Sequence, residues 1–124
     1  MGGRFTPTYR TILVEGFEIL VGKAARDNDA LTFGVARPND LWLHAGGYAG
    51  SHVIVRRGEE GGEIPREVVQ RAAELAAFHS KAREARGKVA VHVCRAGEVR
   101  KRRGAPAGQV ELRRFDTMKV YPRE

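Results

Sequence analysis

Apolar and polar residues alternate in several short segments of this chain, and a period of two predicts strands in most of it. Tyr9 to Val14 and Phe17 to Val21 are rich in β-forming residues and flank Glu15-Gly16, which predicts a first hairpin. Residues 88–94 alternate valines with other side chains and predict a strand covered on both faces.

Residues 40–56 predict a second, central hairpin. Leu41 and Leu43 alternate with Trp42 and His44, a glycine-rich turn follows at 46–50, and 52–55 is a β-branched run. A hairpin of this kind would bring one imidazole from each strand close together at the same end of the hairpin. The side chains expected there are His44 and His52, with Asp40, Trp42 and Ser51 close by.

Two segments have the composition of helices. Residues 23–33 contain several alanines and predict a short helix with a polar side. Apolar or small residues at 68, 72, 75 and 76, together with His79, follow one helical face. This longer helix is predicted to begin at Pro65 and to end before Gly87, and its small residues would let it lie close against a sheet.

The last segments complete an α+β order. Gln109 to Phe115 and Thr117 to Tyr121, with Asp116 at the turn, predict a terminal hairpin. We expect a flexible lead at 1–8 and a single domain at 9–124. That domain would be a mostly antiparallel sheet of hairpins, with one long helix packed on a face and one short helix.

Charge narrows the class of partner. The 124 residues carry a formal net charge of +7, and the sequence pI is near 10.2, which favours a polyanion, although a solvated basic surface would look the same. From Arg95 onward there are nine Lys or Arg against four Asp or Glu. Arg100-Lys101-Arg102-Arg103 stands at the entrance of a Gly-Ala-Pro-Ala-Gly loop, an arrangement suited to phosphate contact.

The single cysteine, Cys94, cannot form an intrachain disulfide and fits a reducing compartment, so we expect a cytoplasmic protein. No stretch approaches the ~18 apolar residues of a membrane span. The first residues lack a basic region followed by an apolar core, so we expect no secretion signal and no membrane partner.

Three interpretations of the central hairpin compete. A zinc site needs more ligands than the sequence supplies there, so we expect neither a metal nor a cofactor. A nucleophilic site of Ser51, His52 and Asp40 has suitable residue types, but adjacent strand residues point to opposite faces. In the third interpretation, Trp42 and one histidine are core residues whose polar edges meet backbone partners.

The hairpin also resembles a known family. Asp-Leu-Trp-Leu-His-Ala at 40–45 and Gly-Ser-His-Val-Ile-Val at 50–55 resemble the signature of the NFACT-R domain. This is the RNA-binding domain of the fibronectin-binding-protein A and nuclear export mediator factor family of ribosome quality-control proteins. Further blocks at 17–32, 72–83 and 99–110 resemble the same domain in the same order. Departures from the family pattern are Ala49, where Pro is frequent, and His79, where Tyr is frequent.

The resemblance implies a non-catalytic module that binds tRNA or ribosomal RNA, with the large ribosomal subunit as a further partner. Phosphate contacts would come from basic side chains, and Trp42, His44, Ser51 and His52 would offer a stacking surface and hydrogen bonds. Full-length members also carry an N-terminal domain and a coiled coil, for which 124 residues leave no room, so their tailing of stalled chains is not carried over. The residues expected to bind RNA are Lys23, Arg26, Asn28, Asp40, Trp42, His44, Ser51, His52, Arg56, Arg83, Arg100, Lys101, Arg102 and Arg103.

Two other functions stay open at the level of sequence. The first is a metal-independent enzyme that processes RNA or a nucleotide, with His44 and His52 as acid and base. The second is a protein-interaction domain that binds the ribosome through protein. The sequence fixes neither the distance between the imidazoles nor the identity of the RNA.

Overall fold

Strands make up most of the regular structure in the computed structural model, which describes residues 5–58 and 61–124. The strands are β1 Tyr9–Val14, β2 Phe17–Gly22, β3 Leu41–Ala45, β4 Val53–Val55, β5 Val89–Arg95, β6 Val99–Arg100, β7 Glu111–Leu112 and β8 Asp116–Val120. Six of them form one antiparallel sheet in the order β1-β2-β4-β3-β5-β8, and β6 pairs with β7 in a small second sheet.

The predicted first hairpin and the predicted central hairpin are both confirmed. Strand β1 pairs with β2 around Glu15-Gly16, and Glu15 takes the left-handed conformation at φ 50°. In the central hairpin, β3 pairs with β4 so that Leu43 lies opposite Val53. Strand β3 also pairs with β5 and is therefore interior to the sheet. Leu43 lies in the core on one face and Trp42 in the core on the other, because other elements cover both faces.

The helices are shorter than the sequence predicts. Helix α1, Ala25–Ala30, continues as a π-helical segment at Leu31–Val35, and helix α2 covers Arg66–Phe78. The predicted extension of the long helix to Gly87 is wrong. Ser80 instead forms a β-bridge with Gly50, and the Ser51 N–H donates to the carbonyl of His79 at 2.9 Å. Pairing with the central hairpin therefore replaces the next helical turn.

The predicted terminal hairpin is also wrong. Strand β7 pairs with β6, whereas β8 joins the edge of the main sheet beside β5. The reason lies in β8, where Val120 is buried and packs with Met118 in the same core as α2. Burying these side chains against the helix requires β8 to extend the main sheet, and exposed Arg113, Arg114 and Phe115 connect the two sheets.

The main sheet is covered on both faces. Helix α2 covers one face with an aliphatic core that includes Ile19, Leu43, Val53 and Val91. Helix α1, the π-helical segment and the β6–β7 sheet cover the other face, where Trp42 is the largest buried side chain. No helix among the described residues is long and apolar enough to cross a membrane.

The predicted flexible lead is described only in part, because residues 1–4 lie outside the described ranges. At its end, the Thr8 N–H donates to Asp27 Oδ1 at 2.8 Å, and the Thr8 carbonyl accepts from the Lys23 N–H at 3.3 Å. Thr8 is therefore attached to the start of α1.

Candidate nucleic-acid interface

The Gly50-Ser51-His52 segment is held between α1 and the segment that follows α2. Asn28 receives the His52 N–H at 3.0 Å through Oδ1 and donates to the Gly50 carbonyl at 3.3 Å through Nδ2. Ser51 Oγ donates to the carbonyl of Gly22. A Cβ at position 50 would lie 2.5 Å from Ser80 Cβ, so only glycine fits there. These hydrogen bonds and the close contact at Gly50 therefore fix the backbone of residues 50–52.

A chain of buried hydrogen bonds passes through the imidazole of His52. Trp42 Nε1 donates to Thr32 Oγ1 at 3.1 Å, Thr32 Oγ1 lies 2.8 Å from His52 Nδ1, and His52 Nε2 lies 3.2 Å from the Gly108 carbonyl oxygen. A carbonyl oxygen only accepts, so Nε2 carries the proton. Nδ1 is then the acceptor of the Thr32 hydroxyl proton, and every member of the chain is satisfied with a neutral imidazole.

The surroundings of His52 favour the neutral form. Burial, followed by the effect of the neighbouring His44, lowers the pKa of His52 to about 4, against a smaller opposing effect of the hydrogen bond to Gly108. Burial also lowers the pKa of His44, followed by the effect of His92, which lies opposite it on β5. Both imidazoles of the hairpin are therefore uncharged near pH 7.

The two histidines meet as predicted, but the environment of His52 does not suit acid–base catalysis. The ring centroids of His44 and His52 are 5.4 Å apart. However, His52 is 1% exposed and has both ring nitrogens engaged, so no substrate atom can reach it. Among residues 5–58 and 61–124, no group of three or more His, Cys, Asp or Glu could hold a metal ion.

Trp42 lies under the surface and is not a platform for bases. Its ring is 1% exposed and packs against those of His44 and His52, at centroid distances of 5.8 and 5.0 Å. The predicted stacking surface is therefore corrected for Trp42 and His52. Interior strands and the covering π-helical segment bury both residues, and their hydrogen-bonding groups point to Thr32.

Asp40 and Arg56 lie at the other end of the central hairpin from His44. The Asp40 carboxylate accepts the N–H groups of Arg37 and Arg57, both at 2.9 Å, and lies 3.7 Å from Arg56 Nε. It is 2% exposed and organises the turn before β3. The structure therefore does not bring these two predicted residues together with the others.

A cleft of about 830 Å³ opens where the hairpin turn faces α1 and the end of α2. Its walls come from the start of α1, residues 47–51, residues 78–83 and residues 107–109. Four cationic residues line it, and among the described lining residues there is no carboxylate; the cations are Arg10, Lys23, Lys81 and Arg83. Such an excess of one charge attracts anions.

Aromatic rings border the same cleft. The Arg83 guanidinium lies 4.2 Å from the centroid of the Phe78 ring, which meets His79 edge to face. Tyr48, on the hairpin turn, is 46% exposed. Arg83 Nε also lies 3.9 Å from Glu84 Oε1, but both side chains are open to solvent, so this pair is weak. The cleft thus combines phosphate-binding groups with rings on which a base can stack.

The cleft contains only part of the predicted set. Lys23, Asn28, His44, Ser51 and Arg83 line it. Sequence reasoning missed four other lining residues that the fold brings in from separate elements, namely Arg10, Tyr48, Lys81 and Gln109. The tyrosine in a glycine-rich turn was the one available signal, because exposed aromatic residues on loops suit recognition.

The predicted basic run does not act as one set. Lys101 Nζ turns inward to Asp29 Oδ2 at 2.9 Å and to the Gln109 carbonyl at 2.9 Å, and Arg102 pairs with Glu111 at 3.1 Å. Arg100 and Arg103 are exposed. Arg26, also outside the cleft, lies over the Phe5 ring at 4.0 Å. Residues 101–110, which we name the basic loop, are therefore docked onto α1 and form one wall of the cleft.

The structure is an α+β domain with a cleft lined by cationic side chains. A family model described as the NFACT protein RNA binding domain matches residues 7–114. The chain belongs to this family, which confirms the resemblance of the central hairpin and the other blocks.

Several relatives are similar over most of this chain. The Rqc2 homolog RqcH of Streptococcus suis (strain 05ZYH33) is 41% identical over 106 residues, which are 86% of this chain and 18% of that protein. The Rqc2 homolog RqcH of Bacillus subtilis (strain 168) is 37% identical over 107 residues, with the same coverage of 86% and 18%. The chain therefore spans about a fifth of the length of these curated relatives.

A solved structure shares the fold. The C-terminal part of the fibronectin/fibrinogen-binding protein from Streptococcus suis matches with a TM-score of 0.85 and 37% sequence identity. The match covers 99% of this chain and 48% of that one.

Proposed function

We propose that this domain binds tRNA or ribosomal RNA through the cleft between the hairpin turn, α1 and the end of α2. The observation that carries the proposal is the set of four cations around a cleft that no described carboxylate lines. Membership of a family of RNA-binding domains supports the same interpretation of the charge.

Different residues of the cleft contact different parts of the RNA. Lys23, Lys81 and Arg83 contact phosphates and supply an affinity that falls with salt. Tyr48 stacks on an unpaired base, since bases in loops and bulges are available to aromatic side chains. Gln109 offers a side-chain amide to base edges or ribose hydroxyls. Trp42, Ser51 and His52 act indirectly, because they are buried and hold the walls in place.

We further propose that the domain binds its RNA on the large ribosomal subunit during ribosome quality control. The similarity to proteins named Rqc2 homologs supports this setting. Binding, and not catalysis, is the proposed activity, because the buried His52 cannot serve as an acid or base for substrate.

The test is fluorescence anisotropy of labelled tRNA with the purified chain across a salt series, with a DNA duplex of equal charge as competitor. We expect binding that persists at moderate salt and resists the duplex, because stacking and ribose contacts do not depend on charge alone. Equal competition by the duplex, together with disappearance of the signal at moderate salt, would contradict RNA recognition and leave only a generic basic surface.

A further inference from the structure

Two hydrogen bonds attach the basic loop to the rest of the molecule at Gly108. The Gly108 N–H donates to Asp29 Oδ1 at 3.0 Å, and the Gly108 carbonyl accepts from His52 Nε2 at 3.2 Å. Gly108 has φ +84°, and a Cβ there would lie 3.2 Å from Ala25 Cβ. Position 108 therefore brings the loop backbone close against α1 in a conformation that favours glycine.

One of the two attachments comes from the core. His52, the residue before β4, reaches Gly108 through Nε2, and Thr32, which accepts the indole N–H of Trp42, bonds the imidazole at Nδ1. Lys101, by contrast, joins the loop to Asp29 on the exposed side of α1 and closes the loop on itself at the Pro106 and Gln109 carbonyls. Among the described residues, the bond from His52 is the hydrogen bond that joins the loop to the main sheet, and Val110 at the end of the loop also packs against the core on that face.

The position of the loop matters for the cleft. Ala107, Gly108 and Gln109 form the wall that faces Lys23 and the hairpin turn. If this wall moved away, the cleft would lose its Gln109 amide and become an open basic surface.

We propose that His52 is a positioning residue that holds the basic loop across the cleft, and that the Thr32 hydroxyl sets the tautomer with which it does so. This inference rests on the proposed function, because its consequence is the affinity for RNA. The histidine of the Gly-Ser-His segment does not touch RNA but shapes the wall that does.

The test compares Thr32→Val with Thr32→Ser. Valine has the shape of threonine without the hydroxyl, so His52 Nδ1 loses its donor and Trp42 Nε1 its acceptor, whereas serine keeps both bonds. We expect Thr32→Val to increase hydrogen exchange of the Gly108 amide by about fivefold or more and to weaken tRNA binding by a similar factor. Thr32→Ser should restore both quantities.

A matched control and a second observable keep the test informative. Thr11→Val makes the same chemical change at an exposed position of β1 and should alter neither quantity. In the unmodified protein, nitrogen NMR of the imidazole should show the His52 proton on Nε2, whatever the stability of the variants. If Thr32→Val unfolds the chain, His52→Asn tests the same docking, because the shorter asparagine side chain cannot reach the Gly108 carbonyl. It should raise exchange at Gly108 and weaken tRNA binding.

The outcomes separate this proposal from the one on which it rests. Unchanged Gly108 exchange in Thr32→Val, or a His52 proton on Nδ1, would overturn the positioning role. Faster exchange with unchanged tRNA affinity would overturn it as well. Absence of preferential tRNA binding by the unmodified protein contradicts the proposed function, and the exchange measurement, which contains no RNA, still reports on the docking.

Discussion

The two faces of the main sheet are built by different chemistry. The face under α2 is aliphatic and small-residue throughout, with Val68, Ala72 and Ala76 of the helix set against valines and leucines of the strands. The opposite face mixes apolar residues with a chain of hydrogen bonds that runs from Trp42 through Thr32 and His52 to the Gly108 carbonyl. Apolar burial alone stabilises the first face, whereas the polar network of the second face also fixes the position of the cleft wall.

The cost of polar groups explains the contrast. Side chains on an aliphatic face need only complementary shapes, and their contribution to the free energy of folding increases with the apolar area that they bury. A buried indole, hydroxyl and imidazole need a partner for each polar atom, and among the described side chains no buried N or O atom lacks one. Such a network tolerates one arrangement, which makes it a suitable support for a binding site.

The largest effect should come from the aliphatic face. Leu43→Ala removes a fully buried side chain under α2, and we expect it to reduce the free energy of unfolding by about 2–5 kcal/mol. Urea denaturation measures this reduction. Leu13→Ala is the matched control, because Leu13 is 69% exposed and its change should stay within about 0.5 kcal/mol. Similar reductions in both variants would contradict the assignment of the core.

The polar face should respond to pH. His52 has a pKa of about 4 in the folded chain against 6.5 when unfolded, so the unfolded state binds more protons between these values. Stability is therefore complete above about pH 6.5 and falls as the pH drops toward about 4, by roughly 3 kcal/mol from this group. His44 adds a decrease in the same direction.

Urea denaturation across pH 4 to 7 tests that sign, with His52→Gln as the comparison. Glutamine does not titrate in this range, so the variant should lose less stability on acidification than the unmodified chain. Carboxylates affect both proteins alike and cancel in the difference. Parallel pH profiles would show that His52 does not titrate with a lowered pKa.

A smaller effect is expected from Trp42→Phe. This change keeps an aromatic ring in the core but removes the N–H that donates to Thr32 and leaves a small void. We expect a decrease of about 2 kcal/mol in the free energy of unfolding, from an unsatisfied acceptor and poorer packing. The measurement is again urea denaturation. An unchanged free energy of unfolding would mean that the hydrogen bond from the indole to Thr32 does not stabilise the fold.

The smallest effect should come from the outside of the basic loop. Arg102 Nε pairs with Glu111 at 3.1 Å, but the side chains are 76% and 51% exposed. We expect Arg102→Ala to change the free energy of unfolding, measured by thermal denaturation, by less than about 1 kcal/mol, because solvent screens such pairs. A larger change would mean that the β6–β7 hairpin depends on this pair more than on its attachment at Gly108.

Much of the sheet could be predicted from sequence, because period-two patterns set the strands and short polar turns set the hairpins. The end of α2 could not, because the bridge between Gly50 and Ser80 is a tertiary contact that overrides helix-forming residues at 81–85. The partner of β8 was missed for the same reason, since burial of Val120 under α2 outweighs local hairpin formation.

The candidate site was predicted less well than the fold. Residue type identified Trp42, His52 and Asp40 as candidates to bind RNA, but all three are buried. The alternative interpretation, in which Trp42 and one histidine are core residues, is the one that the structure confirms. The basic run looked like one patch, but Lys101 faces Asp29 and Arg102 faces Glu111. Side-chain direction in an irregular loop depends on residues distant in sequence, which no local pattern reports.

The most direct test of the cleft as the RNA site is the salt dependence of tRNA affinity in two matched double variants. Lys81→Ala/Arg83→Ala removes two cations from the cleft, and Lys88→Ala/Lys119→Ala removes two from the groove between α2 and β8. We predict that the cleft variant weakens binding and reduces the slope of log affinity against log salt by about 0.7 to 0.9 for each phosphate that the protein no longer neutralises. The groove variant should keep the slope of the unmodified chain. Equal reductions in both variants, or none in the cleft variant, would contradict the account.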